Sequence, residues 1–346
     1  MFNRSTKEKK EKMRSDGKIY HDDWMNNQLP DKSVQLIIAD PPYFEVKGDF
    51  DFVWKTFDEY LQQVEIWAKE CKRILANNGT LFWYGDRKKI AYSQVILDKY
   101  FNLENNIYLQ SASNSMTEQW DTLRSFYEVG FERLLMYSNG EDEKWWELLY
   151  HETVRQAVNN VQVYLNTLIT VDELADILLK NGNCKNYESA KQNANNILSQ
   201  KSHKPQMITE TQYSWIEKQK APYSDLKDLF KQAYDFHNEH RMKQEHKRRP
   251  FNNYLKLQDK WYFTKGNANS IDHPTVKSEA QTRAIILSCS RPNDLVFVPF
   301  AGSGTEVAMA IKEGRRAIGF EIDETHVITG NNRVNMAKSQ PQLILQ

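Results

Sequence analysis

The sequence predicts an α/β fold: a mostly parallel central sheet with helices on its faces, interrupted by a helical insertion. Three observations carry this. An apolar, β-rich run, Val34-Gln35-Leu36-Ile37-Ile38-Ala39, is followed by an amphipathic helix and a second apolar strand, which is the grammar of a βαβ unit. A second strand–turn–helix–strand series lies between Leu295 and Glu321. Residues 144–250 have little strand signal and much Asn, Gln and Lys, as expected of a separate helical module.

Taken in order, the first folded unit begins near Lys18, after a basic tail of residues 1–17. The run over 34–39 stops at Asp40-Pro41-Pro42, because two prolines cannot continue a central strand. Phe57, Tyr60, Leu61, Val64, Trp67, Ala68, Cys71, Ile74 and Leu75 recur at three- and four-residue spacing and share one helix face. Asn77-Asn78-Gly79 is the expected stop. Thr80-Leu81-Phe82-Trp83-Tyr84-Gly85 reads as the next strand and a turn. In the middle, Thr170 and Glu173 suit a capping box ahead of Leu174, Ala175, Ile177 and Leu178. A second helix carries Tyr187, Ala190, Ala194, Ile197 and Leu198, and Thr209 with Gln212 caps a third bearing Tyr213 and Ile216. A helix-turn-helix over 170–200 and a plain helical hairpin both fit, the hairpin being the commoner pattern. Near the C-terminus come a strand over 295–298, a glycine turn over 299–305, a helix over 306–312 closed by Gly314, and a strand over 317–320 ending in Glu321. The resulting segments are 18–143, 144–250 and 251–338, with a tail of 339–346.

Composition excludes several classes. Of 346 residues, 40% are apolar and 27% charged, a soluble globular balance. No apolar run approaches the ~20 residues that span a bilayer, so no membrane partner is expected, and the charged start is unlike a signal peptide. Cys71, Cys184 and Cys289 are far apart, which fits a reducing cytoplasm. The histidines lack HExxH spacing and make no case for a metal. Lys+Arg and Asp+Glu are 46 each, so net charge does not point to nucleic acid. Its distribution does so more: residues 1–18 and 180–220 each hold seven basic against three acidic side chains, and Arg241, Lys243, Lys247, Arg248 and Arg249 lie close together. Each run alone reads as a solvated face; a phosphate-tracking surface needs them to converge.

Two motifs carry chemistry. A strand, Gly302-Ser303-Gly304, a helix, a strand and then Glu321 is the layout of a nucleotide-type site, with the acid accepting ribose hydroxyls. No Lys follows Gly304, so it is not a P-loop; Val307 stands where a dinucleotide enzyme has its third Gly. Alone, such a pair of glycines is often only a tight turn. Asp40-Pro41-Pro42-Tyr43 stands at a strand's carboxyl end, where α/β sheets place functional groups. An acceptor side chain, a free carbonyl and an aromatic face suit a planar heterocycle bearing an amino group. Alone, it reads equally as an Asp-Pro turn with a core Tyr.

Together, Asp40-Pro41-Pro42-Tyr43 and Pro299-Phe300-Ala301-Gly302-Ser303-Gly304-Thr305 resemble the DNA amino-methyltransferases that use S-adenosyl-L-methionine. The order, with the Asp-Pro-Pro-Tyr motif first and the cofactor glycines last, resembles the permuted β class, whose target-recognition region lies between them. Asp22 stands where that family has an acid facing the adenine of the cofactor. His273-Pro274-Thr275-Val276-Lys277 resembles its His-Pro-Thr-x-Lys segment, at the methionine end of the cofactor. Arg248-Arg249-Pro250-Phe251-Asn252, then Trp261, resembles the lead-in of adenine enzymes with a helical recognition module. Residues 18–140 and 245–335 carry the resemblance well, 145–245 only loosely. Three positions depart from the pattern: Val298 replaces the Asp usual before Pro-Phe, His21 a Gly, and Ser278 a Pro. Val298 removes a carboxylate near the cofactor.

The resemblance implies a Rossmann-like methyltransferase fold whose catalytic half is 18–143, target-recognition insertion 144–250 and cofactor-binding half 251–338. It implies methyl transfer to adenine N6 in double-stranded DNA, with Asp40, Pro41, Pro42 and Tyr43 catalytic. Asp22, Asp40, His273, Thr275, Pro299, Phe300, Ala301, Gly302, Ser303, Gly304, Thr305, Glu321 and Ile322 are the expected cofactor residues. Lys185, Lys191, Lys201, His203, Lys204, Arg248 and Arg249 are the candidates for DNA contact. The expected setting is the cytoplasm of a bacterium or a phage's host, at the nucleoid. Whether a homodimer or a cognate restriction endonuclease is involved stays open. So do a cytosine-N4 enzyme and, given Val298, a decayed DNA-binding relative. A dinucleotide oxidoreductase leaves Asp-Pro-Pro-Tyr unexplained.

Overall fold

The computed structural model describes residues 16–44, 53–111, 131–140, 152–199, 206–220, 224–263 and 277–339. Its strands are β1 (Asp16–His21), β2 (Val34–Ala39), β3 (Leu75–Gly85), β4 (Asn102–Ser111), β5 (Phe131–Ser138), β6 (Lys260–Phe263), β7 (Leu295–Val298) and β8 (Arg316–Glu321). The α-helices are α1 (Phe57–Ile74), α2 (Ile90–Leu97), α3 (Glu152–Leu168), α4 (Val171–Lys180), α5 (Tyr187–Leu198), α6 (Glu210–Lys220), α7 (Ser224–Gln244), α8 (Glu279–Cys289), α9 (Thr305–Lys312) and α10 (Glu324–Ser339). The chain divides into one unit of residues 1–142 with 249–346 and another of 143–248.

The first unit holds one eight-stranded sheet in the order β1-β8-β7-β2-β3-β5-β4-β6. Neighbours are parallel except β5, which runs antiparallel to β3 and β4. The continuous apolar runs follow from burial on both faces. Leu36 and Ile38, Phe82 and Tyr84, and Val296 and Val298 belong to one apolar layer, with α8, α9 and α10. The alternate residues Ile37 and Ala39, Leu81 and Trp83, and Leu295 and Phe297 belong to the other, with α1 and α2.

Helix α1 forms where the spacing predicts, burying Tyr60, Val64, Trp67, Ala68, Cys71 and Ile74. The Thr56 side chain caps it by accepting from the Glu59 N–H, acids occupy its first turn and Lys72 and Arg73 its last, each matched to the helix dipole. Its end departs from expectation. Asn77-Asn78-Gly79 does not stop the helix, which finishes at Ile74 and passes straight into β3. Val34 pairs with Leu75 but Leu36 with Thr80, so residues 76–79 bulge out of the pairing. The bulge is held by side chains: Asn139 Nδ2 donates to the Leu75 and Ala76 carbonyls at 2.8 and 2.9 Å, and Gln35 Nε2 to the Asn78 carbonyl at 2.7 Å.

The second unit has its own core. Leu165, Leu174, Ile177, Leu178, Ala190, Ala194, Ile197, Tyr213, Ile216 and Phe230 are among its buried residues. Tyr213 stacks on Phe230 at 4.3 Å between centroids. Thr170 and Glu173 form a capping box on α4, and at the start of α6 the Thr209 N–H donates to Gln212 Oε1 at 2.9 Å and the Gln212 N–H to Thr209 Oγ1 at 3.1 Å. Tyr187 is the exception to its predicted face. It is exposed, and its hydroxyl donates to Asp172.

Candidate active site

The sequence's chemistry-bearing residues collect at the carboxyl ends of adjacent parallel strands. In the order β1-β8-β7-β2, these ends lead into Asp22, Glu321, the 299–305 turn and Asp40. From β2 the chain proceeds to β3 on one side, and from β7 to β8 on the other. The gap between them is the switch point where open α/β sheets bind ligands.

Asp40 follows the last residue of β2 and is engaged on both oxygens. The Tyr43 hydroxyl donates to Oδ1 at 2.6 Å, and Lys277 Nζ lies 3.0 Å from Oδ2. Lys277 also lies 3.0 Å from Glu132 on β5 and 4.2 Å over the Tyr84 ring. Its side chain is 10% exposed. Burial lowers the Lys277 pKa, but the Asp40 and Glu132 carboxylates outweigh burial and leave it raised. One buried cation therefore balances two acids. Burial, then the Asp40 charge, pushes the Tyr43 phenol well above its usual range, so it remains a donor. The expected open face of Tyr43 is not what the structure presents. The ring is turned into the apolar layer, which removes its area from water while its hydroxyl keeps a charged acceptor.

The glycine turn is latched to Glu321. Gly302, at φ +47°, donates its N–H to Oε2 at 2.8 Å, and the Ile322 and Asp323 N–H groups donate to Oε1 at 2.9 Å each. Counting lone pairs, Oε2 retains one for a further donor such as a hydroxyl. The Asp22 N–H donates to the Glu321 carbonyl at 3.2 Å, and the exposed Asp22 carboxylate accepts from Asp23 N–H and Asn26 Nδ2 at 2.8 Å. Phe300 packs edge-on against Trp24 and Trp67, with centroids 5.9 and 5.0 Å away. Pro299 and Ala301 are buried, and Ile322 is exposed.

The two glycines part company. Gly304 adopts a left-handed backbone, with φ +76°. A Cβ there would lie 2.7 Å from Ile19 Cδ1 and 2.8 Å from Gly330 Cα, so its smallness serves the contact of α9 with α10. Ser303 and Thr305 are also turned inward. Arg333 Nη1 donates to their hydroxyls at 3.1 and 2.8 Å. Val298 is 1% exposed in an apolar layer. His273 and Thr275 lie outside the described residues.

Sequence reasoning named Lys277 only within a motif and missed Glu132, Tyr84 and Arg333. Lys277 was legible through its motif; the others come from distant elements without a local signal. Among the DNA candidates, Lys201, His203 and Lys204 lie outside the described residues. Lys191 pairs with Asp172 at 2.8 Å, Arg248 with Glu245 at 2.5 Å and Arg249 with Glu104 at 3.4 Å. Lys185 is exposed in the turn between α4 and α5. A cation already paired has less charge to offer a phosphate.

A parallel sheet whose strand ends offer an Asp-Pro-Pro-Tyr acceptor beside an acid-latched glycine turn suits the class of methyltransferases with a nucleoside cofactor. More narrowly, the chain belongs to the N6_N4_Mtase family of DNA methylases, whose model matches residues 34–332. It is 24% identical over 315 residues to the DNA adenine methyltransferase YhdJ of Escherichia coli K12, covering 90% of this chain and 79% of that one. It is 24% identical over 331 residues to the type II methyltransferase M.HinfI of Haemophilus influenzae, covering 90% and 66%. A solved complex of M1.HpyAVI with S-adenosylmethionine aligns over 92% of this chain and 99% of that one, with 16% identity and a TM-score of 0.46. The residues present fit S-adenosylmethionine: Glu321, held by the Gly302 N–H, keeps a lone pair for a ribose hydroxyl.

Proposed function

We propose that this protein methylates the exocyclic N6 of a flipped adenine at a specific site in double-stranded DNA. The observation that carries this is the position of Asp40, Pro41 and Tyr43 at the end of β2, beside the end of β7. An amino group cannot reach such a crevice from within a base stack, so the target base must be swung out. S-adenosylmethionine, when bound, supplies an electrophilic methyl group. The chain's residues do the rest by placement and electrostatics. Asp40 and the Pro41 carbonyl accept the amino hydrogens, orient the N6 lone pair and favour the positive charge that grows there. Lys277 holds Asp40 in place through Oδ2. Tyr43 stacks on the base. Because its hydroxyl rests on Oδ1, moving it to stack also frees the acceptor that the amino group needs.

Aspartate at the first motif position and Phe44 after it favour adenine N6; cytosine-N4 enzymes usually have Ser there. Residues 144–250 are the proposed target-recognition insertion, and modification at one motif would protect DNA from a restriction endonuclease of the same specificity. A homodimer is compatible with this reading and not required by it. The test is single-molecule sequencing of DNA from a methylation-free host expressing the protein, beside an Asp40→Ala sample. Modified adenine at one short motif, absent from the variant, is the expected result. Transfer by Asp40→Ala at near wild-type rate would overturn the assignment of Asp40, and modified cytosine would overturn that of the base.

A further inference from the structure

Glu306 is a buried acid that the mechanism above does not use. It occupies the first turn of α9, directly after the glycine turn. It is 6% exposed. Among the described residues, no side chain donates a hydrogen bond to its carboxyl, although Lys277 and Arg333 are close enough for their charges to act on it. Both cations are committed elsewhere: Lys277 to Asp40 and Glu132, Arg333 to Ser303, Thr305 and Glu279. Its own backbone N–H is the one donor to it among the described residues, so a buried carboxyl with no side-chain donor keeps lone pairs for a cation that can donate hydrogen bonds.

The cofactor carries two cationic centres. Its sulfonium has no N–H or O–H; its α-ammonium has three N–H donors. Of the two cationic centres, only the ammonium can both donate to the remaining lone pairs of the carboxyl and balance its charge. The chain has also lost the carboxylate usual at position 298, where Val298 lies in the apolar layer. We infer that Glu306 is the carboxylate that holds the α-ammonium of S-adenosylmethionine, in place of an acid at position 298. This rests on the methyltransferase reading and adds the residue that grips the amino-acid end of the cofactor.

Protonation supplies a signature. Burial raises the free Glu306 carboxyl to about 7, Asp40 adding to the effect and its own backbone N–H, Lys277 and Arg333 opposing it. Among the described residues, Tyr84, from β3, and Glu279, which pairs with Arg333, are the further titratable groups on this side. An ammonium arriving beside Glu306 ionises it, so binding at pH 6 releases roughly 0.9 proton, the fraction bound by an acid with that pKa. The cofactor's own amine is already protonated there and contributes nothing.

The experiment is calorimetric binding at pH 6 in buffers of differing ionisation enthalpy, with wild type and Glu306→Gln. Three probes are used: S-adenosylmethionine, S-adenosylhomocysteine, which keeps the ammonium but lacks the sulfonium, and methylthioadenosine, which lacks the amino-acid end. The expected result is proton release by wild type alone. Glu306→Gln should lose about tenfold or more in affinity for the first two probes, as for a charged hydrogen bond, and keep its affinity for methylthioadenosine. Equal losses for all three, unchanged affinity for all three, or the same proton release from both proteins would overturn the assignment. Wild type that binds none of the probes would overturn the methyltransferase reading with it.

Discussion

The Tyr43 hydroxyl lies 2.6 Å from Oδ1 of Asp40, so the group proposed to stack on the base and the group proposed to accept its amino hydrogens are bonded to each other. The closed pair covers the apolar ring and occupies the acceptor at once. Opening it does both jobs that base capture requires.

Tyr43→Phe removes the hydroxyl and keeps the ring; Tyr43→Ala removes both. Stacking is worth roughly 1–3 kcal/mol per base, so Tyr43→Ala should cut methyl transfer about 10–100-fold. Tyr43→Phe should stay within about tenfold of wild type, with cofactor affinity unchanged in both. Steady-state transfer to duplex DNA reads the rates. Equal activity of the two variants would rule out stacking by this ring.

Lys277 balances Asp40 and Glu132 from a nearly buried position. Lys277→Met leaves two acids facing each other without their cation. Removing one partner of a buried ion pair typically costs about 3–5 kcal/mol. Urea unfolding at neutral pH should show a loss of that order, and a loss below about 1 kcal/mol would mean the charge is not needed for balance.

Glu306 gives the cofactor-free protein a particular pH dependence. Its folded pKa is raised from 4.5 to about 7 by burial, so between these values the native state binds more protons than the unfolded state. Stability therefore falls as pH rises through this window and levels off above it. Glu306→Gln abolishes the effect. Relative to wild type it should gain up to about 3 kcal/mol at pH 8 and little at pH 4, by the conversion of 1.36 kcal/mol per unit. Urea titrations at both pH values check this, and a gain that does not change with pH would contradict the raised pKa.

Gly304→Ala combines a left-handed backbone with a Cβ 2.8 Å from Gly330 Cα. Strain and overpacking together should cost about 2 kcal/mol or more. Thermal unfolding without cofactor reads it. An unchanged midpoint would mean that neither the left-handed backbone nor the contacts to Ile19 and Gly330 constrain this position.

The strand–helix–strand grammar, the two motifs and their order are legible in the residues alone. These signals are local. A run such as 34–39 must be buried on both faces, two prolines must end it, and the spacing from Phe57 to Ile74 forces one helix face. The Asn77-Asn78-Gly79 stop failed because Asn139, distant in sequence, satisfies the backbone of a bulge there. β4 was invisible because Asn102, Glu104, Asn105 and Asn106 interrupt any apolar alternation. That β7 lies beside β2, that β5 enters antiparallel between β3 and β4, and hence that Asp40, Lys277 and Glu132 share one partly buried charge network, follows only from the assembled sheet. Those groups come from segments with no local bond between them. Their meeting depends on strand order, which is set by how all the apolar faces are covered together rather than by any one segment's pattern.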